Sequence, residues 1–118
     1  MTMLQIILTT AVALLHIGFM ILEMILWKRP AGRRIFGTTK EFAEASEKLA
    51  MNQGLYNGFL AAGLIWGLLS GPEGSFILTF FLCCVILAGI FGAFTVNRRI
   101  FWIQAAPAAV ALLVIYLS

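Results

Sequence analysis

Four stretches of this sequence are each long and apolar enough to cross a lipid bilayer, a property that restricts the fold severely. A membrane-spanning helix needs about 20 largely apolar residues. The chain is 62% hydrophobic and 11% charged, whereas soluble domains are about 45–50% apolar and about 25% charged. A chain of 118 residues cannot bury that much apolar surface in a core of its own. We therefore predict an all-α integral membrane four-helix bundle, a single domain over residues 1–118 with helices at about 3–27, 41–70, 75–96 and 100–117.

Short polar stretches separate these segments. The first, KRPAGRR, carries Pro30 and Gly32 and is expected to be a basic loop. The second, SGPEG, has the composition of a tight turn, and the third is the short run NRR. Thr38 or Thr39 is expected to cap the second helix. Pro107, inside the fourth segment, is expected to kink that helix.

The basic residues predict the orientation of the chain. Six basic residues lie near the first connection and two lie at the third. The only charged residue at the second connection is Glu73. By the positive-inside rule, connections one and three are cytoplasmic and both termini lie outside. Because these residues form short runs beside apolar segments, they indicate topology and not nucleic-acid binding. They are Lys28, Arg29, Arg33, Arg34, Lys40, Lys48, Arg98 and Arg99.

Polar residues within the apolar segments are the candidate functional residues, because such residues are rare in membranes and are often functional. Counting inward from the cytoplasmic charges at about 1.5 Å per residue places polar residues of three helices at the same depth in the membrane and His16 near the midplane. We predict a polar cleft that opens to the cytoplasm and binds a lipidic or amphipathic small molecule. The alternative is that these side chains only join helices by hydrogen bonds. The candidates are His16, Glu23, Asn52, Gln53, Tyr56, Asn57 and Gln104.

The sequence offers no metal site, and its catalytic residues are unknown; in an enzyme, Glu23 could act as a base or charge partner and His16 as a proton donor or acceptor. It has one His, and the adjacent Cys83 and Cys84 lie in an apolar run with nothing nearby to complete a ligand set. We expect the two Cys side chains to act as small packing residues. No nucleophile, base and orienting group occur in a recognisable arrangement, so no reaction and no cofactor is assigned.

The second segment also carries small residues at every fourth position. Such a stripe lets helix backbones approach closely. It favours either packing within one chain or a homo-oligomer interface, and the sequence leaves both open. The stripe consists of Ser46, Ala50, Gly54, Gly58 and Ala62.

Three motifs, HIGFMILEMILW, FGTT and NQGLYNGFLAAGLIWG, resemble a family of small bacterial four-helix membrane proteins, domain-of-unknown-function family 1304. The resemblance covers nearly the whole chain. It implies a multi-pass protein of the bacterial inner membrane and implies no particular activity.

The second segment is also similar to the corresponding helix of the membrane-associated proteins in eicosanoid and glutathione metabolism (MAPEG). Asn52 matches an Asn of that helix, and residues 59–61 match an FLA-like run. Lys48 stands near a basic position, but the acidic position falls on Leu55. This resemblance implies a trimer with outside termini and a cytoplasmic cleft between subunits that binds glutathione or a lipid.

Three functions are compatible with these features. The first is a MAPEG-like oligomer, a trimer for preference, that binds an amphipathic ligand, with the stripe at Ala50, Gly54, Gly58 and Ala62 as its interface. The second is a structural or accessory membrane protein. The third is a subunit of an oligomeric transporter or channel, which the apolar third helix disfavours because a conduit should be polar through both leaflets.

Overall fold

The computed structural model describes all 118 residues of the chain and is helical throughout, with no β-strand. This confirms the predicted all-α class, although there are six α-helices where the sequence predicted four. They are α1 (Met3–Met24), α2 (Pro30–Phe36), α3 (Lys40–Ala45), α4 (Glu47–Leu69), α5 (Gly74–Thr95) and α6 (Ala106–Leu117). A 3-10 turn covers Gly71–Glu73, and a π-helical segment covers Phe101–Ala105.

The chain divides into two compact units. Unit 1 contains residues 1–14 and 60–118, and unit 2 contains residues 15–59. Unit 1 has a continuous apolar core built from both parts of its sequence. The core residues are Val12, Ala13, Leu64, Leu78, Leu82, Val85, Ala108 and Ala111.

Helix α1 begins with a reciprocal cap that the sequence analysis did not identify. The Thr2 backbone N–H donates to the Gln5 side-chain oxygen at 3.1 Å, and the Gln5 N–H donates to the Thr2 hydroxyl at 3.2 Å. This is the capping-box arrangement, in which residues Ncap and N3 each satisfy the other's backbone donor. It fixes the start of an otherwise apolar helix.

Helix α2 occupies the stretch that the sequence analysis expected to be a basic loop. Pro30 stands in its first turn, and Gly37 ends it with φ +66° and ψ +34°. Proline is favoured at a helix start because its N–H would be unsatisfied there anyway, and glycine is favoured just after the end because it accepts this left-handed conformation. Pro30, one of the two residues that suggested a loop, thus begins a short helix, and the other, Gly32, lies buried inside that helix.

The second predicted helix is divided at Ser46 into α3 and α4. Thr39 caps α3, its hydroxyl accepting from the Phe42 N–H at 3.1 Å, which selects one of the two predicted caps. Ser46 leaves the helical conformation, with φ −103° and ψ 7°. Its hydroxyl donates to the Phe42 carbonyl at 2.7 Å and accepts from Trp27 Nε1 at 3.1 Å. A serine that bonds the preceding turn weakens the helix at that point.

The fourth predicted helix begins as a π-helix. Pro107 has no N–H, and its ring conflicts with the carbonyl four residues earlier in a regular α-helix. Residues 101–105 therefore adopt the wider π turn, and the Ala106 N–H bonds the Phe101 carbonyl, five residues back. Helix α6 then begins with Pro107 in its first turn, so the kink expected at Pro107 takes the form of a π-helical segment before it.

Helix α5 packs closely against this segment within unit 1. A Cβ at Gly89 would lie 2.6 Å from the Ala105 backbone nitrogen, and one at Gly92 would lie 2.9 Å from Ile100 Cγ2. Backbones approach this closely only where a side chain is missing. Gly89 therefore allows close packing between α5 and the π-helical segment, and Gly92 allows it at Ile100, just before the segment.

Two helical segments have the length and composition of a membrane span. They are Met3–Met24, with mean hydropathy 2.1, and Gly71–Thr95, with mean hydropathy 2.6. Phe101–Leu117 is apolar but shorter. On composition alone these segments indicate a membrane protein only weakly, since buried helices of soluble proteins and signal sequences share the property.

Candidate ligand-binding site

Glu23 and Asn57 form a hydrogen-bonded pair in unit 2. The Asn57 Nδ2 donates to Glu23 Oε1 at 2.5 Å, and the two residues are 34 positions apart in the chain. Both side chains are half-buried. A carboxylate in apolar surroundings is unfavourable unless it is hydrogen-bonded, and Asn57 supplies that bond.

The pair forms because α1 and α4 come close together within unit 2. A Cβ at Gly54 would lie 2.5 Å from Met24 Cγ, 3.1 Å from Glu23 Cβ and 3.1 Å from the Met20 carbonyl oxygen. A Cβ at Gly58, one turn further along α4, would lie 2.8 Å from Met20 Sδ. Two positions of the small-residue stripe thus pack against α1 of the same chain.

The other two small positions named for an oligomer interface differ in exposure. Ala50 is buried and Ala62 is exposed. The oligomer, with the trimer preferred, stays a prediction.

Three further candidates lie on the exposed side of α4. Asn52, Gln53 and Tyr56 are all exposed in the single chain. The Asn52 Nδ2 donates to the Tyr56 hydroxyl at 3.1 Å, one helical turn away. The Tyr56 ring also lies near Phe59, with 6.2 Å between ring centroids. These residues form a short polar face on α4.

A charged cluster marks the end of unit 2 where α4 begins. The Lys28 Nζ lies 2.5 Å from Glu47 Oε2, the single salt bridge of the chain. The hydrogen bond and the negative charge of Glu47 raise the pKa of Lys28 above its ordinary value. Nearby, the Trp27 ring packs against Phe36, with 4.9 Å between centroids. Counted along α4 at 1.5 Å per residue, Asn57 is about 15 Å from Glu47.

The remaining two candidates have different surroundings. His16 is fully buried and meets Phe19 edge to face, with ring centroids 5.4 Å apart. It precedes Glu23 by seven residues on α1, which is about 10 Å along the axis. Gln104 is half-buried in the π-helical segment and belongs to unit 1. Among the seven candidates, the structure joins Glu23 to Asn57 and Asn52 to Tyr56.

Two buried polar residues were missed by the sequence analysis. Gln5 and Thr9 lie on α1 with relative exposures of 7% and 0%. The Gln5 Nε2 donates to the Val114 carbonyl at 3.4 Å within unit 1. At 100° per residue, Gln5, Thr9, His16 and Glu23 fall within about 40° of one another around α1. This register could have been read from the sequence, since it puts every polar residue between 5 and 23 except Thr10 on one face.

The chemistry available at Glu23 and Asn57 is hydrogen bonding, charge pairing and proton exchange. A carboxylate accepts from hydroxyl, amine or amide donors, and the asparagine amide both donates and accepts. No group of three or more His, Cys, Asp or Glu side chains is placed to hold a metal ion. The pair is therefore suited to the polar end of a small molecule.

Comparison with known proteins identifies relatives of the whole chain. The family described as "Protein of unknown function (DUF1304)" matches residues 10–116. The "Uncharacterized protein YpaA" of Lactococcus lactis subsp. lactis (strain IL1403) is 35% identical over 115 residues, which are 96% of this chain and 97% of the relative. No solved structure matches. These comparisons lend no support to the MAPEG resemblance. They confirm the resemblance to domain-of-unknown-function family 1304. This chain belongs to the DUF1304 family.

Proposed function

We propose that this protein is a multi-pass membrane protein that binds a lipidic or amphipathic small molecule at the Glu23–Asn57 pair, from the cytoplasmic side. The observation that carries the proposal is the hydrogen bond from Asn57 to a carboxylate between two helices. Ionisable residues within membrane segments are rare and generally functional.

The exposure of apolar side chains supports a membrane location. Phe76 and Phe94 are more than 80% exposed on α5, and Leu69 at the end of α4 is exposed to the same degree. The apolar windows of the two span-like segments are only 28% and 22% buried. A core helix of a soluble protein would be mostly buried, so lipid is the fitting neighbour for these surfaces.

The charge distribution supports an orientation with both termini outside. The basic residues concentrate around α2 and at Arg98 and Arg99, while Glu73 is the one charged residue between α4 and α5. The positive-inside rule then places the Lys28–Glu47 cluster in the cytoplasm. In a bacterium, this means the plasma membrane.

An oligomer would cover the exposed polar face of α4. Asn52 and Tyr56 bond each other, but the remaining polar groups of these two residues and of Gln53 would otherwise face lipid, where polar groups without partners are unfavourable. A second copy or a bound ligand could supply the partners. We propose a homo-oligomer, a trimer for preference, with the ligand between α4 and a neighbouring chain.

The test is native mass spectrometry of protein released gently from its membrane. We expect an oligomer that carries an additional stable mass. Glu23→Gln should remove most of that mass while leaving the unfolding temperature nearly unchanged, because glutamine can still accept from Asn57. The matched control is Thr95→Val, which removes a hydroxyl that bonds only the Phe91 carbonyl of its own helix.

The same experiment addresses the main alternative, a structural role for the polar residues. That role is favoured by the fact that Glu23 already has a partner in its own chain, as helix-joining residues do. A wild-type protein without additional mass, or a mass retained by Glu23→Gln, would contradict ligand binding and favour the structural role.

A further inference from the structure

An open groove lies where α5 meets the π-helical segment, entirely within unit 1 and apart from the Glu23–Asn57 pair. Its volume is about 580 Å³. One end is basic and the rest is apolar or aromatic. The lining residues are Ile90, Ala93, Phe94, Arg98, Phe101 and Trp102.

The groove walls are held by close packing. Gly89 lets Ala105 of the π-helical segment pack against α5, and Gly92 does the same for Ile100, just before that segment. The Phe101 and Trp102 rings meet edge to face with centroids 5.0 Å apart. Phe94 is 88% and Trp102 71% exposed, so the apolar wall is open to its surroundings. It is therefore accessible to a molecule in the bilayer.

The electrostatics of this region favour an anion. Between Gly74 and Ser118 the sequence has no Asp, Glu or His, and its only charged side chains are Arg98 and Arg99. Arg98 is outside the one salt bridge of the chain. A guanidinium group is suited to bidentate binding of a phosphate.

The apolar wall continues away from this charge. Phe94 and Ile90 are successive on one face of α5, about 6 Å apart along the axis. A ligand with a phosphate at Arg98 would lay an alkyl chain along these two side chains. Aromatic residues such as Trp102 are typical of the headgroup level of a membrane.

We infer that this groove binds an anionic phospholipid of the cytoplasmic leaflet, with its phosphate at Arg98 and an acyl chain along Phe94 and Ile90. The inference rests on the membrane location proposed above and is independent of the Glu23–Asn57 ligand. Basic groups at the cytoplasmic ends of membrane helices are known to select anionic headgroups.

The test uses Trp102 as a local reporter. The full chain with Trp27→Phe and Trp66→Phe is reconstituted in vesicles that contain brominated phosphatidylglycerol or brominated phosphatidylcholine at equal mole fraction. Bromine quenches tryptophan on contact. We expect phosphatidylglycerol to be enriched at Trp102 by about fivefold, the factor that one basic residue contributes near an anionic surface. Arg98→Gln should abolish this preference, whereas Arg34→Gln, the matched control, should preserve it.

The outcomes separate the inferences. Equal quenching by the two lipids, or a preference that survives Arg98→Gln, would overturn the groove assignment and leave the membrane location intact. Quenching by neither lipid would overturn both. Glu23→Gln should not change the quenching. Because Trp27 bonds Ser46 and its replacement could disturb folding, native mass spectrometry of the chain with all three Trp provides a second count of retained phosphatidylglycerol, expected to fall with Arg98→Gln.

Discussion

At the scale of single residues, the partner of Glu23 determines what the carboxylate can do. A hydrogen bond from a neutral amide lowers the unfavourable free energy of the carboxylate without cancelling its charge. A salt bridge to an arginine would have cancelled it. Glu23 therefore keeps the ability to attract a cationic or hydrogen-bonding group.

The ion pair between Lys28 and Glu47 predicts a response to alkaline pH. The pKa of Lys28 is raised above its ordinary value of 10.5, first by the hydrogen bond that Lys28 donates to Glu47 and then by the negative charge of Glu47. A raised pKa in the folded state means that the stabilisation is complete below pH 10.5 and is lost as pH rises through the folded-state pKa. We expect the unfolding temperature, measured from pH 9 to 12, to fall less in Glu47→Gln than in wild type. Parallel curves would show that the pair contributes nothing.

The sequence identified Glu23 and Asn57 as candidates but not as each other's partner. Counting inward from Lys28 and Lys48 puts Glu23 level with Asn52 or Gln53. The count assumes that α1 stays helical up to Lys28, whereas α1 ends at Met24. Glu23 therefore lies in the last turn of its helix, and residues 25–29 do not advance by 1.5 Å each. Hydropathy does not show where a helix ends.

At the scale of helices, the contact between α1 and α4 depends on a missing side chain. Gly54→Ala would put a methyl group 3.1 Å from the Met20 carbonyl oxygen and 2.5 Å from Met24 Cγ. We expect a loss of about 1–3 kcal/mol, the range for an overpacked core, measured as unfolding in mild detergent.

Gly18→Ala on α1 is the matched control for this prediction. A Cβ at Gly18 meets nothing within 4 Å, and alanine favours a helix by about 0.5–1 kcal/mol over glycine. The control should therefore be neutral or stabilising. If Gly54→Ala matched it, the close approach of α1 to α4 in unit 2 would be wrong.

Helix boundaries were the part of the fold that the sequence predicted least well. Pro30 and Gly37 bound α2, yet proline and glycine in a basic stretch are equally typical of loops. Tertiary contacts decide whether a stretch of seven residues forms a helix or a loop. Pro107 was recognised as a disturbance, but a π-helical segment before it depends on the packing of Ala105 against Gly89.

At the scale of the whole molecule, hydropathy and composition predicted the all-α class, and the three sequence motifs predicted the family. The class was predictable because apolar runs of helical length are visible in the sequence. The division into two units was not predicted. The division depends on long-range contacts along α1 and α4. Each of these two helices has residues in both units.

The proposed orientation predicts the outcome of reporter fusions. Alkaline phosphatase fused after Ser118 should be active, because that enzyme folds outside the inner membrane, and green fluorescent protein at the same site should be dark. The matched fusions inserted after Gly37 should behave in the opposite way, because α2 carries the basic residues. Phosphatase activity at Gly37 with none at Ser118 would invert the topology, and equal activity at both sites would exclude an odd number of crossings between them.

The connection between α4 and α5 has a consequence for how the protein is made. Only Ser70 and the 3-10 turn Gly71–Glu73 separate the two helices, and a Cβ at Gly74 would collide with the Gly67 carbonyl oxygen. A connection this short is not long enough for one helix to be inserted before the other has left the translocation machinery. In a bilayer, α4 and α5 would have to be integrated together as a preformed hairpin, with the Glu73 carboxylate as the one charge carried across.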